Sequence, residues 1–332
     1  MPSVPMVELR RGAFPESLHV GDAVICSAAG DILQAWGNPD AVVLPRSSCK
    51  MIQALPLVES GAADAAGLTS EQLALACASH QAAATHVRLV QGWLETLGLD
   101  DSALACGPQE PRDRMARDAL IRAGQHPLRL HNNCSGKHAG FLTLARHLRA
   151  GGSYVALDHP VQEAVREAFE DVTAAMSPGA ATDGCSAPNF ATTLRGLARA
   201  MAFFATARTG DAALRNRAAA RLVDAMVAHP DLVAGEGRAC TDLMRAMGGR
   251  VAVKTGAEGV FVAILRDRGL GVAVKIHDGA ARAAEVAITA LLVHLGALEE
   301  NHPAVARWMR VKQKNFARKD TGWLQPVAGF PT

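Results

Sequence analysis

The chain has 332 residues, 49% of them hydrophobic, which is ample for a sizeable core in one large domain or two joined lobes. Its 34 basic and 32 acidic residues leave a formal charge of only +2, and no basic arm, acidic tail or RNA-type aromatic motif stands out, so nucleic acid is set aside as a partner. No apolar stretch approaches the roughly 18 residues needed to span a bilayer, and no membrane association is expected. The start, Met1–Gly12, is polar and lacks a signal-peptide core. Without such a signal, seven scattered cysteines read as reduced thiols in the cytoplasm rather than a disulfide framework.

In chain order, Met6–Arg10 is short and β-prone. His19–Ser27 and Asp31–Gly37 flank a hairpin turn at Ala29-Gly30-Asp31. Val42–Leu44 leads into Pro45-Arg46-Ser47-Ser48, where either serine can cap a helix running towards Ser60, bent or ended at Pro56. Thr69 with Gln72 forms a capping-box pattern. Val87, Val90, Leu94 and Leu97 share one helical face. Asp158 and Pro160 start a helix that carries Val161, Val165 and Phe169 inward, and Ala191–Thr206 and Asp211–His229 are Ala-rich helices. Arg250–Lys254, Gly259–Arg266 and Gly271–His277 read as strands, the last two joined by a tight turn at Asp267-Arg268-Gly269, and Ala280–Ala297 as an amphipathic helix. The expectation is an α/β fold whose sheet lobe takes about 1–65 and 235–300, with a helical lobe, about 66–234, inserted between.

Ser47-Ser48-Cys49-Lys50 contains S-x-x-K. On a helical turn, residues i and i+3 share a face, so the Lys50 amine can reach the Ser47 hydroxyl. Burial near other cations would let that amine serve as a base, and a helix start offers N–H groups to an oxyanion. By itself the pattern also fits a capping serine and a surface lysine. Lys254-Thr255-Gly256 changes the weight, because K-T-G at a strand end downstream of S-x-x-K is a combination of penicillin-recognising serine enzymes. Ser79, in Ala78-Ser79-His80, is a candidate bridging serine; alone it reads as a turn residue.

Two further segments are rich in polar donors: His131-Asn132-Asn133-Cys134-Ser135-Gly136-Lys137-His138 and Asp183-Gly184-Cys185-Ser186-Ala187-Pro188. Thiols and imidazole suit Zn²⁺, although no C-x-x-C spacing is present and each cysteine equally fits a small buried apolar residue. From the residues alone, His138 is a more natural ligand than Lys137, since an amine must lose its proton to bind metal. Gly235-Glu236-Gly237-Arg238, just before Cys240, reads either as a helix-capping loop or as part of a substrate pocket.

Taken together, Pro-Arg-Ser-Ser-Cys-Lys, Ala-Ser-His, His-Asn-Asn-Cys-Ser-Gly-Lys-His, Asp-Gly-Cys-Ser-Ala-Pro, Gly-Glu-Gly-Arg and Lys-Thr-Gly-Ala-Glu-Gly occur in the order of the rhizobial-type L-asparaginases, the third structural class of these enzymes. The resemblance covers about Val7 to Leu298. It implies a fold like that of serine β-lactamases, penicillin-binding proteins and glutaminases, a homodimer, and hydrolysis of L-asparagine to L-aspartate and ammonia through an acyl-enzyme. It also implies two Ser–Lys tandems, Ser47 with Lys50 and Ser79 with Lys254, and a Zn²⁺ ion held by Cys134, Lys137 and Cys185 that assists substrate binding more than chemistry. Arg46, His138, Asp183, Cys240 and Glu258 match positions at or near the substrate. Two rival readings are another serine acyl hydrolase of β-lactamase type and a zinc-binding sensor without turnover.

Overall fold

A computed structural model describes residues 2–332, which form two compact units. The first comprises residues 2–48, Thr192–Thr206 and Asp242–Thr332. The second comprises Cys49–Ala191 and Ala207–Thr241. The division therefore falls at 48/49 rather than near 65. The helix expected over Ala191–Thr206 starts at Leu194 and belongs with the sheet, as does the chain beyond 300.

The first unit is built on eight strands: β1 (Val4–Arg11), β2 (Phe14–Ser27), β3 (Ile32–Trp36), β4 (Val251–Thr255), β5 (Val260–Leu265), β6 (Leu270–Ile276), β7 (Val311–Lys314) and β8 (Asp320–Pro326). They form one antiparallel sheet in the order β7-β8-β1-β2-β6-β5-β4, with β3 also pairing with β2. Both chain ends contribute to it, as expected. The run Val-Phe-Val-Ala-Ile-Leu of β5 is buried at every position, so both its faces are covered and the polar alternation of a half-exposed strand is absent. Helix Leu194–Thr206 packs on β2, β5 and β6, and helix Ala281–His294 packs on β1, β5, β6 and β8. The strands β7 and β8 were not expected. β7 is a short, polar, half-buried edge strand, and β8, between it and β1, buries only Gly322 and Leu324, so little hydrophobic periodicity is imposed there.

The second unit is mainly helical. The capping box forms as expected: the Thr69 side chain accepts the Gln72 N–H, and the Gln72 side chain accepts the Thr69 N–H. Helix Ala84–Thr96 buries His86, Val90, Trp93 and Leu94, so its inward face is turned slightly from the expected one. Helix Pro160–Thr173 buries Val161, Val165 and Phe169, with His159 rather than Asp158 as its cap. A short strand pair, Ala180–Thr182 with Pro188–Phe190, frames the loop 183–187.

The helix expected from Ser47 or Ser48 to Ser60 is broken into pieces. Arg46–Cys49 is a 3₁₀ turn, followed by α-helices Lys50–Gln53 and Leu55–Glu59, with Pro56 in the first turn of the latter. Neither serine caps a helix. Ser48 instead donates its hydroxyl to the Pro45 carbonyl at 2.7 Å, and Arg46 is left-handed at φ +54°, a backbone that no α-helix continues through.

Candidate active site

Within the first unit, the Pro45–Ser48 segment lies against the end of β4. A Cβ on Gly256 would meet the Pro45 carbonyl oxygen at 2.6 Å and the Ser48 Cβ at 3.3 Å. Glycine at this point of Lys-Thr-Gly is what lets the two segments touch. The K-T-G end of β4 and the serine segment are thus neighbours, as their pairing in the sequence implies. Ser47 is half-buried. Lys254 is buried at 1% exposure and donates to the Thr255 carbonyl at 2.8 Å. Beyond β4, Glu258 is exposed and left-handed at φ +58°, and its carbonyl accepts from the Lys275 amine at 2.6 Å.

Lys50, three residues after Ser47, lies at the start of the second unit, just after Cys49, and has no exposed surface. Its amine reaches the Ala78 carbonyl at 2.5 Å and the Asn133 carbonyl at 3.4 Å. Those carbonyls immediately precede Ser79 and Cys134, so one buried amine holds two of the segments singled out in the sequence. Ser79 is buried, and its N–H donates to the Val233 carbonyl at 2.9 Å.

Cys134 ends the loop before helix Ser135–His147, with its N–H donating to Asn132 Oδ1 at 2.9 Å. That helix approaches helix Ser70–Ala76 closely at Gly136, where a Cβ would stand 2.4 Å from the Leu75 carbonyl oxygen. Cys185 sits in a tight turn in which Asp183 N–H donates to the Ala187 carbonyl at 2.9 Å and Ser186 N–H donates to the Asp183 carbonyl at 2.8 Å. The two loops bring Cys134 Sγ, Cys185 Sγ and an Asp183 carboxylate oxygen within 4.8 Å of one another. The Lys137 amine donates to Cys185 Sγ at 3.1 Å.

The electrostatics of this cluster are lopsided. A hydrogen bond from Cys134, aided by Lys137 and working against burial, brings the Cys185 thiol down to about 5. Cys134, which gives that bond and is buried, is pushed up to about 12. Burial pulls the Lys137 amine down, but the sulfurs of Cys185 and Cys134 and the Asp183 carboxylate outweigh it and raise it above the usual lysine range. Burial pushes the thiols of Cys49 and Cys106 up to about 12 and that of Cys26 to about 11, leaving Cys185 as the thiolate among these at neutral pH. Two thiols, a carboxylate and an amine form a donor set that fits Zn²⁺. Cys134 and Cys185 would hold the ion, together with Lys137 once it loses its proton, and the Asp183 carboxylate would lie beside them.

His138 follows Lys137 in the same helix and feels the charges of Lys137, Cys134 and Asp183. His138 is buried, and burial followed by Lys137 lowers its imidazole to about 3; its Nδ1 lies 2.9 Å from the hydroxyl of Tyr154. Cys240 is buried in the first turn of helix Ala239–Ala246, beside Thr241, whose hydroxyl is held between the Pro230 and Gly235 carbonyls at 3.0 and 2.7 Å. Arg46 lies in the serine segment, half-buried. Two residues of this neighbourhood were missed in the sequence: Tyr154 and His80. Tyr154 is the chain's one tyrosine, and its hydroxyl also accepts the Ala105 N–H at 2.6 Å. That rarity was its only available signal. Among the described residues no cysteine forms a disulfide, and no helix is long and apolar enough to cross a membrane.

A family model described as L-asparaginase II matches residues 7–326, so the chain belongs to the L-asparaginase II family and is an asparaginase-type amidohydrolase. No curated protein sequence matches it. Solved structures similar to it include a putative β-lactamase from Bacteroides dorei, at 13% identity and a TM-score of 0.43 over 77% of this chain and 85% of that one. A β-lactamase from Mycobacterium bovis gives 14%, 0.46, 84% and 95%, and a class C β-lactamase from Rhodobacter sphaeroides gives 17%, 0.43, 83% and 94%. Likenesses this loose carry no functional weight.

Proposed function

We propose that the protein hydrolyses L-asparagine to L-aspartate and ammonia, with Ser47 as nucleophile and Lys50 as its proton acceptor. Ser47 attacks the side-chain amide carbon as its proton passes to the amine. Backbone N–H groups at the serine turn stabilise the tetrahedral oxyanion. Ammonia leaves with a proton returned through the Ser–Lys network, and water then hydrolyses the β-aspartyl ester. Ser79 and Lys254 are proposed as the second tandem, and Arg46, His138, Asp183, Cys240 and Glu258 as the residues around the substrate. A Zn²⁺ ion on Cys134, Cys185 and Lys137, with Asp183 beside it, would supply Lewis-acid attraction for the substrate rather than a step of the chemistry. A homodimer in the cytoplasm completes the reading.

The observation that carries the reading is Lys50: a fully buried amine, three residues after Ser47, hydrogen-bonded to the main-chain carbonyls of Ala78 and Asn133. A lysine serving merely as a surface charge has no reason to be there. Ammonia release from L-asparagine by the purified protein, and its loss in Ser47→Ala, tests the reading. Full activity in Ser47→Ala would remove the nucleophile, and release of ammonia from neither L-asparagine nor L-glutamine would remove the substrate.

A further inference from the structure

Cys77–Ala83 connects helix Ser70–Ala76 to helix Ala84–Thr96 without regular structure of its own. Ala82 within it is left-handed at φ +59°, a conformation that costs a residue with a Cβ about 1–2 kcal/mol. Such a turn persists only when its surroundings over-determine it. From outside, Ser79 N–H donates to the Val233 carbonyl at 2.9 Å, and the Gln81 carbonyl accepts the Asp113 N–H at 2.8 Å. From inside, the work falls to His80.

His80 is buried at 1% exposure. Its Nδ1 accepts the Ala82 N–H at 3.1 Å, so that nitrogen carries no proton. Burial, then His86 and Lys50, keeps the imidazole neutral by holding it well below its usual range. The proton therefore sits on Nε2, which lies 2.9 Å from the Ser135 hydroxyl oxygen. Ser135 spends its own proton on the Leu130 carbonyl at 3.0 Å, so it accepts from His80, and the direction of each bond is fixed. The ring is stacked on His86 at 4.9 Å and 10°. His86 in turn accepts the Ala83 N–H at 3.1 Å and donates to the Asp231 carbonyl at 2.9 Å.

We propose that His80 is a positioning residue with two separable tasks: its Nδ1 locks the turn that presents Ser79, and its Nε2 ties that turn to the loop carrying Cys134. The inference rests on the reading of Ser79 and Cys134 given above. The two nitrogens can be tested one at a time. In His80→Asn, the amide oxygen stands where Nδ1 stood, so the Ala82 bond survives and the Ser135 bond is lost. In His80→Gln, the amide nitrogen reaches the Nε2 position, so the Ser135 bond survives and the Ala82 bond is lost.

Both variants are compared with wild type by ammonia release from L-asparagine and by Zn²⁺ affinity in competition with a chromophoric chelator, which needs no turnover. His80→Gln should lose about 100-fold in kcat, the effect of a misplacement of about 1 Å, with Zn²⁺ affinity unchanged. His80→Asn should keep kcat within about tenfold and lose roughly tenfold in Zn²⁺ affinity, as loss of support behind a ligand does. Ser135→Ala should reproduce the zinc loss without passing through position 80. Ala82→Gly, which relieves the left-handed turn, should restore part of kcat to His80→Gln. Wild-type kcat and Zn²⁺ affinity in both variants would overturn the proposal, and so would equal losses in both that track a fall in melting temperature. A wild-type protein inactive on L-asparagine would overturn the reading of the site instead, while the zinc competition would still decide the link to Ser135.

Discussion

Replacing Lys50 by methionine keeps the unbranched chain as far as Cε and removes the amine. Of its two hydrogen bonds, the one to Ala78 at 2.5 Å is strong and the one to Asn133 at 3.4 Å is near the limit of a bond, so about one full bond is lost. A buried carbonyl left without a donor costs about 1–3 kcal/mol. Burying a thioether in place of an amine returns part of this. The net loss of about 1 kcal/mol moves Tm by only about 1–2 °C in a chain of 332 residues. If Lys50 takes the proton from Ser47, its removal should instead cost about 10²–10⁴-fold in kcat, or about 3–5 kcal/mol of barrier. Activity and stability should therefore part company by orders of magnitude. Lys50→Arg sharpens the contrast, because a guanidinium still donates to carbonyls but does not give up its proton. Ammonia release from L-asparagine and a thermal melt on the same samples decide it. Activity within tenfold of wild type in either variant would refute Lys50 as the base.

Asparagine should exceed glutamine in kcat/KM by about 100-fold, because one extra methylene moves the amide carbon by about 1 Å from the nucleophile; equal values would contradict this. Elemental analysis should find zinc in wild type and little in Cys134→Ser or Cys185→Ser. Zinc affinity should rise with pH, because Cys134, held at about 12, and Lys137 must each release a proton, whereas Cys185 at about 5 has already done so; a flat profile would exclude both from the ligand set. Stability should fall as the pH drops below about 6.5. There the unfolded chain protonates His80 and His86, and burial keeps the folded ones neutral, at up to about 1.4 kcal/mol per pH unit for each histidine. In urea titrations between pH 7 and 5, His86→Asn should reduce that slope by up to one proton, and an unchanged slope would clear His86 of the effect.

Much of the sheet was legible because its inner strands are dense in valine, isoleucine and leucine, and the hairpin at Asp267-Arg268-Gly269 has the residues its turn requires. The membership of helix Leu194–Thr206 was not legible. Its Ala-rich face records only that it is buried, not that its partner is a sheet whose strands lie far off in sequence. In the candidate site, S-x-x-K, K-T-G and the two cysteine loops were legible as residue types. The grouping of Asp183 with both thiols was not, since it depends on the turn that Ser186 makes at φ +70°. His80 was hidden differently. It stood in Ala-Ser-His beside a serine that drew the chemical interest, and nothing local marks an imidazole whose partners are Ala82 and Ser135.

Left-handed backbone shows where this fold accepts a cost. Among the described residues other than glycine, seven have positive φ: Arg46, Ala82, Arg149, Ala174, Ser186, Glu258 and Arg318. Arg149 and Ala174 come after helices Ser135–His147 and Pro160–Thr173, where a left-handed residue is a common way to stop. Arg318 lies in the turn between β7 and β8. Of the other four, Ser186 and Glu258 lie in turns between paired strands, Ala180–Thr182 with Pro188–Phe190 and β4 with β5, while Arg46 and Ala82 lie in no such turn and after no helix end. The four fall one residue before Ser47, three after Ser79, one after Cys185 and two after Gly256; three of them lie inside segments that the sequence had already marked for chemistry, and Ala82 lies just beyond one. At about 1–3 kcal/mol apiece, four such residues amount to a substantial part of the 5–15 kcal/mol that holds a typical domain folded. Glycine would relieve each of them at little steric cost, yet each carries a side chain. Such a cost, borne repeatedly at the same places, is expected when backbone geometry there is set by the position of a reacting or ligand-holding group rather than by the stability of the turn itself.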